Sequence, residues 1–298
     1  MSVVPRNWPA RTGDHRRAQP GETRRALRRW LRSPLSAGGT AVILLLLLVA
    51  LLAPALAPYD PIAQDFARKL QPPSPQHLFG TDQFGRDIFS RVVWGARLVL
   101  LIVAIVSLLA GTIGTTLGLV AGYFGGWLDE VLMRLTDMFL AFPSLILAMA
   151  FAAALGPSLP NMIFAIALVD WTVYARLARA EALRTRNLEY VEAARGIGAS
   201  DRRVMGRHVL PNCLSPIIVR LTLRMGTIVL TAAALGFLGL GAQPPSPEWG
   251  AMVSDGRSYL QDQWWLATLP GLCIALVVLG FNLLGDGIRD VLDPRLRR

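Results

Sequence analysis

The chain has 298 residues, 53% of them hydrophobic and only 17% charged, well below the roughly 25% charged residues of a soluble domain. Its formal net charge is +10, which in a soluble protein would point to nucleic acid. Here the arginines stand beside apolar runs, as the cytoplasmic anchors of membrane helices do. The composition therefore excludes an ordinary soluble domain and a nucleic-acid binder. Several apolar runs near 20 residues make the chain a polytopic membrane protein in contact with lipid. The only lysine, Lys69, follows Arg68 and precedes Leu70. A nucleotide-binding Gly-Lys-Ser/Thr loop cannot be assembled from that, so any ATP hydrolysis must come from a partner. Cys213 and Cys273 have no CxxC partner, and His15, His77 and His208 lie outside the predicted spans. Neither a metal site nor a disulfide framework is suggested.

Residues 1–37 carry nine arginines against two acidic residues and read as a cytoplasmic tail with a surface helix near Arg24 to Trp30. Gly38 to Ala57 is apolar and reads as a retained first span, since about 20 residues cross roughly 30 Å of bilayer. Ala55-Leu56-Ala57 imitates a signal-cleavage site, but Pro58 should hinder cleavage there. From Tyr59 to Arg97 the chain is polar, external and Pro-rich. Leu98 to Tyr123 is the second span, in which Gly114, Gly118 and Gly122, with Gly126 beyond, recur every four residues. That stripe lets another helix backbone approach closely, as an intrasubunit or intersubunit seam. Asp129, Glu130, Arg134 and Asp137 follow at helical spacing at the cytoplasmic interface. Leu140-Ala-Phe-Pro143 then enters a third span ending near Leu155.

A fourth span covers Asn161 to Tyr174, with Asp170 and Trp171 near its cytoplasmic end. Residues 176–207 contain eight arginines, which places that side in the cytoplasm. The fifth span, Leu214 to Leu240, begins with Arg220 and Arg224, suited to lining the inner mouth of a path or to snorkelling at the interface. Residues 242–265 form an external excursion ending in the interfacial pair Trp264-Trp265. The sixth span runs from Leu266 to Leu284. Six spans put both termini in the cytoplasm.

The longest polar interruption of the second half, Glu189 to Asn212, is too regular for a tether. Leu188 to Ile197 reads as a short helix with Tyr190, Ala194 and Ile197 on one face. Gly196 and Gly198 break it, and Ser200 is a plausible cap for a second helix opening with Asp201. Pro211 ends that helix and starts the next apolar run. Ala193 and Ala194 leave a flat place for another protein's backbone. Glu192, Arg195, Arg202, Arg203 and Arg207 surround it with groups able to form directional pairs.

Glu192-Ala193-Ala194, then Gly198, then Leu210-Pro211 resemble the coupling loop of ABC importer permeases. His208 stands where the general pattern has an aliphatic residue, and Arg207 to Asn212 resembles the dipeptide/oligopeptide/nickel branch. Gly80-Thr81-Asp82, Gly85-Arg86-Asp87 and Ser90-Arg91 are similar to the external segment of the permease subunit that carries an extra N-terminal domain. Gly236 to Gly241, Gln243 to Gly250 and Gly285 to Arg295 extend the likeness, although the family often has Glu and Ser where this chain has Ala232 and Gly236.

The resemblance implies an all-α polytopic membrane protein with the type I ABC importer transmembrane domain, six transmembrane helices and both termini cytoplasmic, in a bacterial inner membrane. Its parts are the tail (1–37), the first helix with the external segment (38–97), the permease domain (98–290, coupling loop 189–212) and a short cytoplasmic C-terminus (291–298). The implied partners are a homologous second permease, two ATPase subunits and an extracytoplasmic substrate-binding protein. ATP and Mg are bound by those partners, with no cofactor in this chain. The expected cargo is di- or oligopeptides, with nickel chelates, glutathione or oligosaccharides as alternatives. An ion-coupled secondary transporter needs ionisable groups at the midplane, and the predicted spans hold few. A membrane enzyme needs a nucleophile and a base, and no credible pair occurs.

Overall fold

The computed structural model describes residues 34–292. Residues 1–33 of the arginine-rich tail, with its expected surface helix, and the residues from Asp293 onward lie outside the described residues, while residues 34–37, expected in the tail, already belong to the first helix. Among the described residues there is no strand, only an isolated bridge between Thr81 and Asp87. Among the same residues five helices are long and apolar enough to cross a membrane, or six if a bent pair counts as one span. The five are α1 (Pro34–Leu51), α2 (Ile88–Phe124), α5 (Leu159–Arg186), α7 (Leu210–Phe237) and α9 (Trp265–Leu292); the bent pair is α3 (Gly126–Leu140) and α4 (Ser144–Leu155). Two further helices of eight residues are α6 (Glu189–Gly196) and α8 (Trp249–Gly256).

Helix lengths depart from the hydropathy pattern because hydropathy reports the bilayer and not the hydrogen-bonded ladder. α2 starts at Ile88 rather than Leu98, because Asp87 caps it: its carboxylate accepts from the Ser90 N–H, satisfying one donor the helix end leaves open. With 37 residues α2 is about 56 Å long, so it protrudes from the roughly 30 Å hydrocarbon layer. α5 continues past Tyr174 to Arg186. The third span is not the single run expected from Leu140 to Leu155. α3 and α4 meet at 90°, at Ala141-Phe142-Pro143, where proline lacks an N–H and disfavours helix in the residue before it. The 12 residues of α4 reach only about 18 Å. Pro211 does not end a helix either. The turn Met205–Val209 is a π-helix that feeds directly into α7, so the chain stays helical from Asp201 to Phe237. The Leu210 N–H reaches back to the Met205 carbonyl across that widened turn, which lets the ladder run on past the missing proline donor.

Among the described residues α2 and α5 pack together more extensively than any other pair of helices. A Cβ on Gly114 would collide with the Trp171 carbonyl oxygen and one on Gly118 with that of Ala175. One on Gly122 would stand 2.6 Å from the Arg179 carbonyl oxygen. The three glycines thus lie along an intrasubunit seam. Gly126 does not join it: Gly125 and Gly126 have φ of +70° and +60°, which turns the chain out of α2. Gly118→Val should therefore wedge the two helices apart. Overpacking of this kind costs roughly 1–3 kcal/mol, and a lowered thermal midpoint of the purified subunit would register it. An unchanged midpoint would mean the seam has slack the backbone contacts deny. α1 lies outside, with Leu44, Leu45, Leu48 and Leu51 exposed, and packs Gly39 against Leu283 and Val42 against Gly280 of α9.

The buried side chains fall into two clusters. The larger runs through the bundle and includes Trp171, Trp249 and Trp265. The smaller, Leu119, Tyr123, Ala178, Ala182, Val191, Ala194, Val204, Val209, Cys213 and Ile217, gathers the inner ends of α2, α5 and α7 under the polar interruption.

Candidate functional site

The interruption folds as a helix, a bend and a second helix. α6 has Glu189 and Glu192 in its first turn and Arg195 in its last, each charge matched to the helix dipole at its end. Gly198, at φ +84°, makes the bend: its N–H bonds the Arg195 carbonyl at 2.9 Å, and the Ala199 N–H bonds that of Ala194 at 3.1 Å. A Cβ at Gly198 would meet nothing within 4 Å, so glycine serves conformation here and not space. Ser200 occupies the cap position of the next helix, but its side chain makes no capping hydrogen bond.

The face expected from periodicity is corrected. Val191 and Ala194 point into the smaller cluster, while Tyr190 is 42% and Ile197 88% exposed. The two alanines therefore do not form one flat surface: Ala194 is a buried anchor and Ala193 faces outward beside Glu192. Glu192, Arg202, Arg203 and Arg207 are exposed, and none takes part in an ion pair among the described residues. Leu210 leans on the smaller cluster, whereas Pro211 is exposed at the start of α7. His208 works through its backbone: its carbonyl accepts from Asn212 Nδ2 at 2.6 Å, and Asn212 also donates to the Tyr190 hydroxyl at 3.0 Å. That clasp ties α6 to the π turn.

At the other end of the molecule the external segment is a buried polar network. Asp82 accepts from Arg86 Nε at 2.6 Å and from the N–H groups of Phe84 and Arg86. The Thr81 hydroxyl donates to the Arg68 carbonyl and accepts from the Gln71 N–H. Asp87 bonds the Ser90 N–H on one oxygen and His77 Nδ1, at 2.9 Å, on the other. Both carboxylates thus hold loops together through these hydrogen bonds. Gly80 and Gly85, at φ +74° and +73°, supply the left-handed turns. Arg91 donates to the carbonyls of Pro61 at 2.9 Å and Pro245 at 3.3 Å, and Trp249 Nε1 donates to the Val92 carbonyl at 3.0 Å. The segment is therefore fastened to the excursion before α9. Glu248 caps α8 there through the N–H groups of Gly250 and Ala251. Burial raises its carboxyl above the usual range, against the pull of those two donors. A Cβ on Gly236 would collide with this carboxylate, so Glu248 fills the place at which the family resemblance leads one to expect serine on α7.

Three ion pairs between helices have no counterpart in the sequence pattern. Asp170 on α5 binds Arg224 of α7, the guanidinium Nη2 reaching one carboxylate oxygen and Nε the other at 3.3 Å. Asp129 on α3 takes a two-pronged grip from Arg179, at 2.5 and 2.6 Å. Arg176 and Asp137 pair nearby at 2.5 Å. Asp129 and Asp137 of α3 are thus both partnered with arginines of α5. Opposite charges in separate apolar runs were the available hint, but nothing in the sequence says which run faces which.

The fold is thus a helical membrane bundle with a bent polar loop seated on its own buried cluster at one end and a stapled polar cap at the other. Residues 114–298 match the binding-protein-dependent transport system inner membrane component family. Residues 22–73 match the N-terminal transmembrane domain of oligopeptide transport permease C. Similar chains include a probable D,D-dipeptide transport system permease protein of Escherichia coli K12, 51% identical over 263 residues and 88% of each chain. A dipeptide transport system permease protein of Alkalihalophilus pseudofirmus is 47% identical over 274 residues, 92% of this chain and 90% of its own. A glutathione transport system permease protein of Pectobacterium atrosepticum is 46% identical, covering 91% and 90%. The chain belongs to the family of binding-protein-dependent transport system inner membrane components, multi-pass proteins of the bacterial inner membrane.

Proposed function

We propose that this chain is one of two homologous permease subunits of an ATP-driven, binding-protein-dependent importer, forming half of the path for di- or oligopeptides. Two ATPase subunits bind ATP and Mg on the cytoplasmic side, and a substrate-binding protein delivers cargo from outside. The chain itself supplies no nucleotide site. The observation that carries the reading is the coupling loop: Glu192, Ala193 and Ile197 stand exposed on a helix whose Val191 and Ala194 are sunk in a buried cluster of their own. An outward rim on a fixed base can receive a push and pass it on. Closure of the ATPases would carry the loop inward, and the bundle would change the side to which it opens by rigid-body motion. Gly198 sets the bend, and Leu210 and Pro211 join the loop to α7. The external Gly80-Thr81-Asp82 and Gly85-Arg86-Asp87 turns hold the cap against the excursion that meets the binding protein. The cargo class rests on the likeness to the dipeptide permeases; glutathione, itself a peptide, fits the same class.

The test is purification and transport. ATPase subunits should co-purify with this chain, and peptide uptake into ATP-fed vesicles should stop with vanadate yet survive an uncoupler. Uptake that dies with the uncoupler and ignores vanadate would sink the proposal. Glu192→Arg places a like charge among the exposed arginines, so the ATPases should be stripped from the complex and uptake fall at least tenfold, a cost of about 1.4 kcal/mol or more.

A further inference from the structure

α2 is the helix that reaches both working ends of the molecule. Its outer end is stapled to the excursion through Arg91 and through the Trp249 bond to the Val92 carbonyl. No proline interrupts its 37 residues, and its glycine stripe is clamped against α5. At the inner end stands Tyr123, only 4% exposed. Its hydroxyl donates to Asp201 Oδ1 at 2.7 Å, and the Arg195 guanidinium lies over its ring at 4.8 Å from the centroid. Arg195 ends α6, whereas Asp201 opens the following helix, so the two partners stand on opposite arms of the bend at Gly198. One buried side chain therefore grips both arms. Arg186 fixes the base of that grip by donating to the carbonyls of Gly122 at 2.9 Å and Tyr123 at 3.2 Å, which would otherwise be open acceptors at the end of α2.

We propose that Tyr123 is a positioning residue for coupling: it sets the angle between the two arms of the loop and joins them to α2. The loop and the outer excursion then move as the two ends of one rod about 56 Å long. This rests on the loop being the ATPase-docking element. Packing alone would need only the ring. The hydroxyl bond to Asp201 and the guanidinium over the ring add direction, since each partner can be satisfied at one bend angle only.

The experiment uses the complete complex in proteoliposomes, with both permeases, the ATPases and the binding protein. An equimolar mixture of dipeptides is the cargo probe, and the readout is peptide moved per ATP hydrolysed. Tyr123→Phe keeps the ring and removes the hydroxyl. The ratio should fall roughly tenfold, the scale of one hydrogen bond to a charged acceptor, while the ATPases still co-purify. Asp201→Ala should give the same fall, and the double variant should be no worse than either, as expected of partners in one contact. Asp201→Asn, which keeps an acceptor oxygen, should stay near the wild-type ratio. A wild-type ratio in Tyr123→Phe, or a double variant falling by the product of the singles, overturns the assignment. Should that occur while Glu192→Arg still strips the ATPases, the joint fails and docking stands. Should Glu192→Arg leave the ATPases bound and uptake intact, docking falls and the joint with it.

Discussion

Asp170→Leu should be among the most damaging single changes in the chain. Asp170 is 5% exposed and both its oxygens face Arg224, near the middle of two helices that cross the bilayer. Removing the acid leaves a guanidinium in an apolar span with no counter-charge, which costs about 3–5 kcal/mol when a buried pair is broken. The thermal midpoint in detergent and the yield of inserted protein should both drop sharply. The double change Asp170→Leu with Arg224→Leu should recover most of the loss, because an apolar pair of similar volume avoids the cost of taking two charges out of water. If the single variant melts like the wild type, the pair is not holding α5 to α7. If the double variant regains stability but not uptake, the charges serve transport as well as folding.

Gly198→Val should abolish coupling without disturbing the bundle. Gly198 sits at φ +84° with open space around it, so the penalty is conformational: about 1–2 kcal/mol for a left-handed L-residue, and more for a branched one. The cheapest escape is a change of φ, which swings α6 away from the arm that begins at Asp201. Uptake should fall at least tenfold, matching a misfit of about 1.4 kcal/mol, while the melting of the bundle stays put. Gly198→Asn should do much less harm, since asparagine visits that region readily. Equal losses in both variants would show that bulk at the docking face, and not the bend, is what matters.

The bend and the short helices beside it were legible because their signals are local. Gly196 and Gly198 interrupt a short helical pattern, and Asp201 follows a residue able to cap. The glycine stripe was legible for the same reason, although its partner was not: only the packing shows Gly114, Gly118 and Gly122 against Trp171, Ala175 and Arg179. Hydropathy misplaced the start of α2 at Leu98, since Arg91 and Arg97 read as polar loop although the helix capped by Asp87 already runs through both. Pro143 was visible, yet proline at the entry of a span and proline at a 90° corner look alike in sequence. Periodicity puts Ile197 on one face with Tyr190 and Ala194, but the helix ends at Gly196, so the period no longer applies to it. The pairs Asp170–Arg224 and Asp129–Arg179 join residues more than forty positions apart, and no periodicity reaches that far.

The division of the buried side chains into two clusters carries a consequence for how this protein comes apart. Leu221 leans on both, yet the clusters have no fully buried residue in common. Regions with separate cores can open with different free energies, so the inner knot can loosen before the bundle melts. Trp171, Trp249 and Trp265 all belong to the larger cluster. Their fluorescence would report the bundle falling apart and stay silent while the inner knot around Val191 and Val204 loosens, which is a reason to follow that end by backbone amide exchange instead.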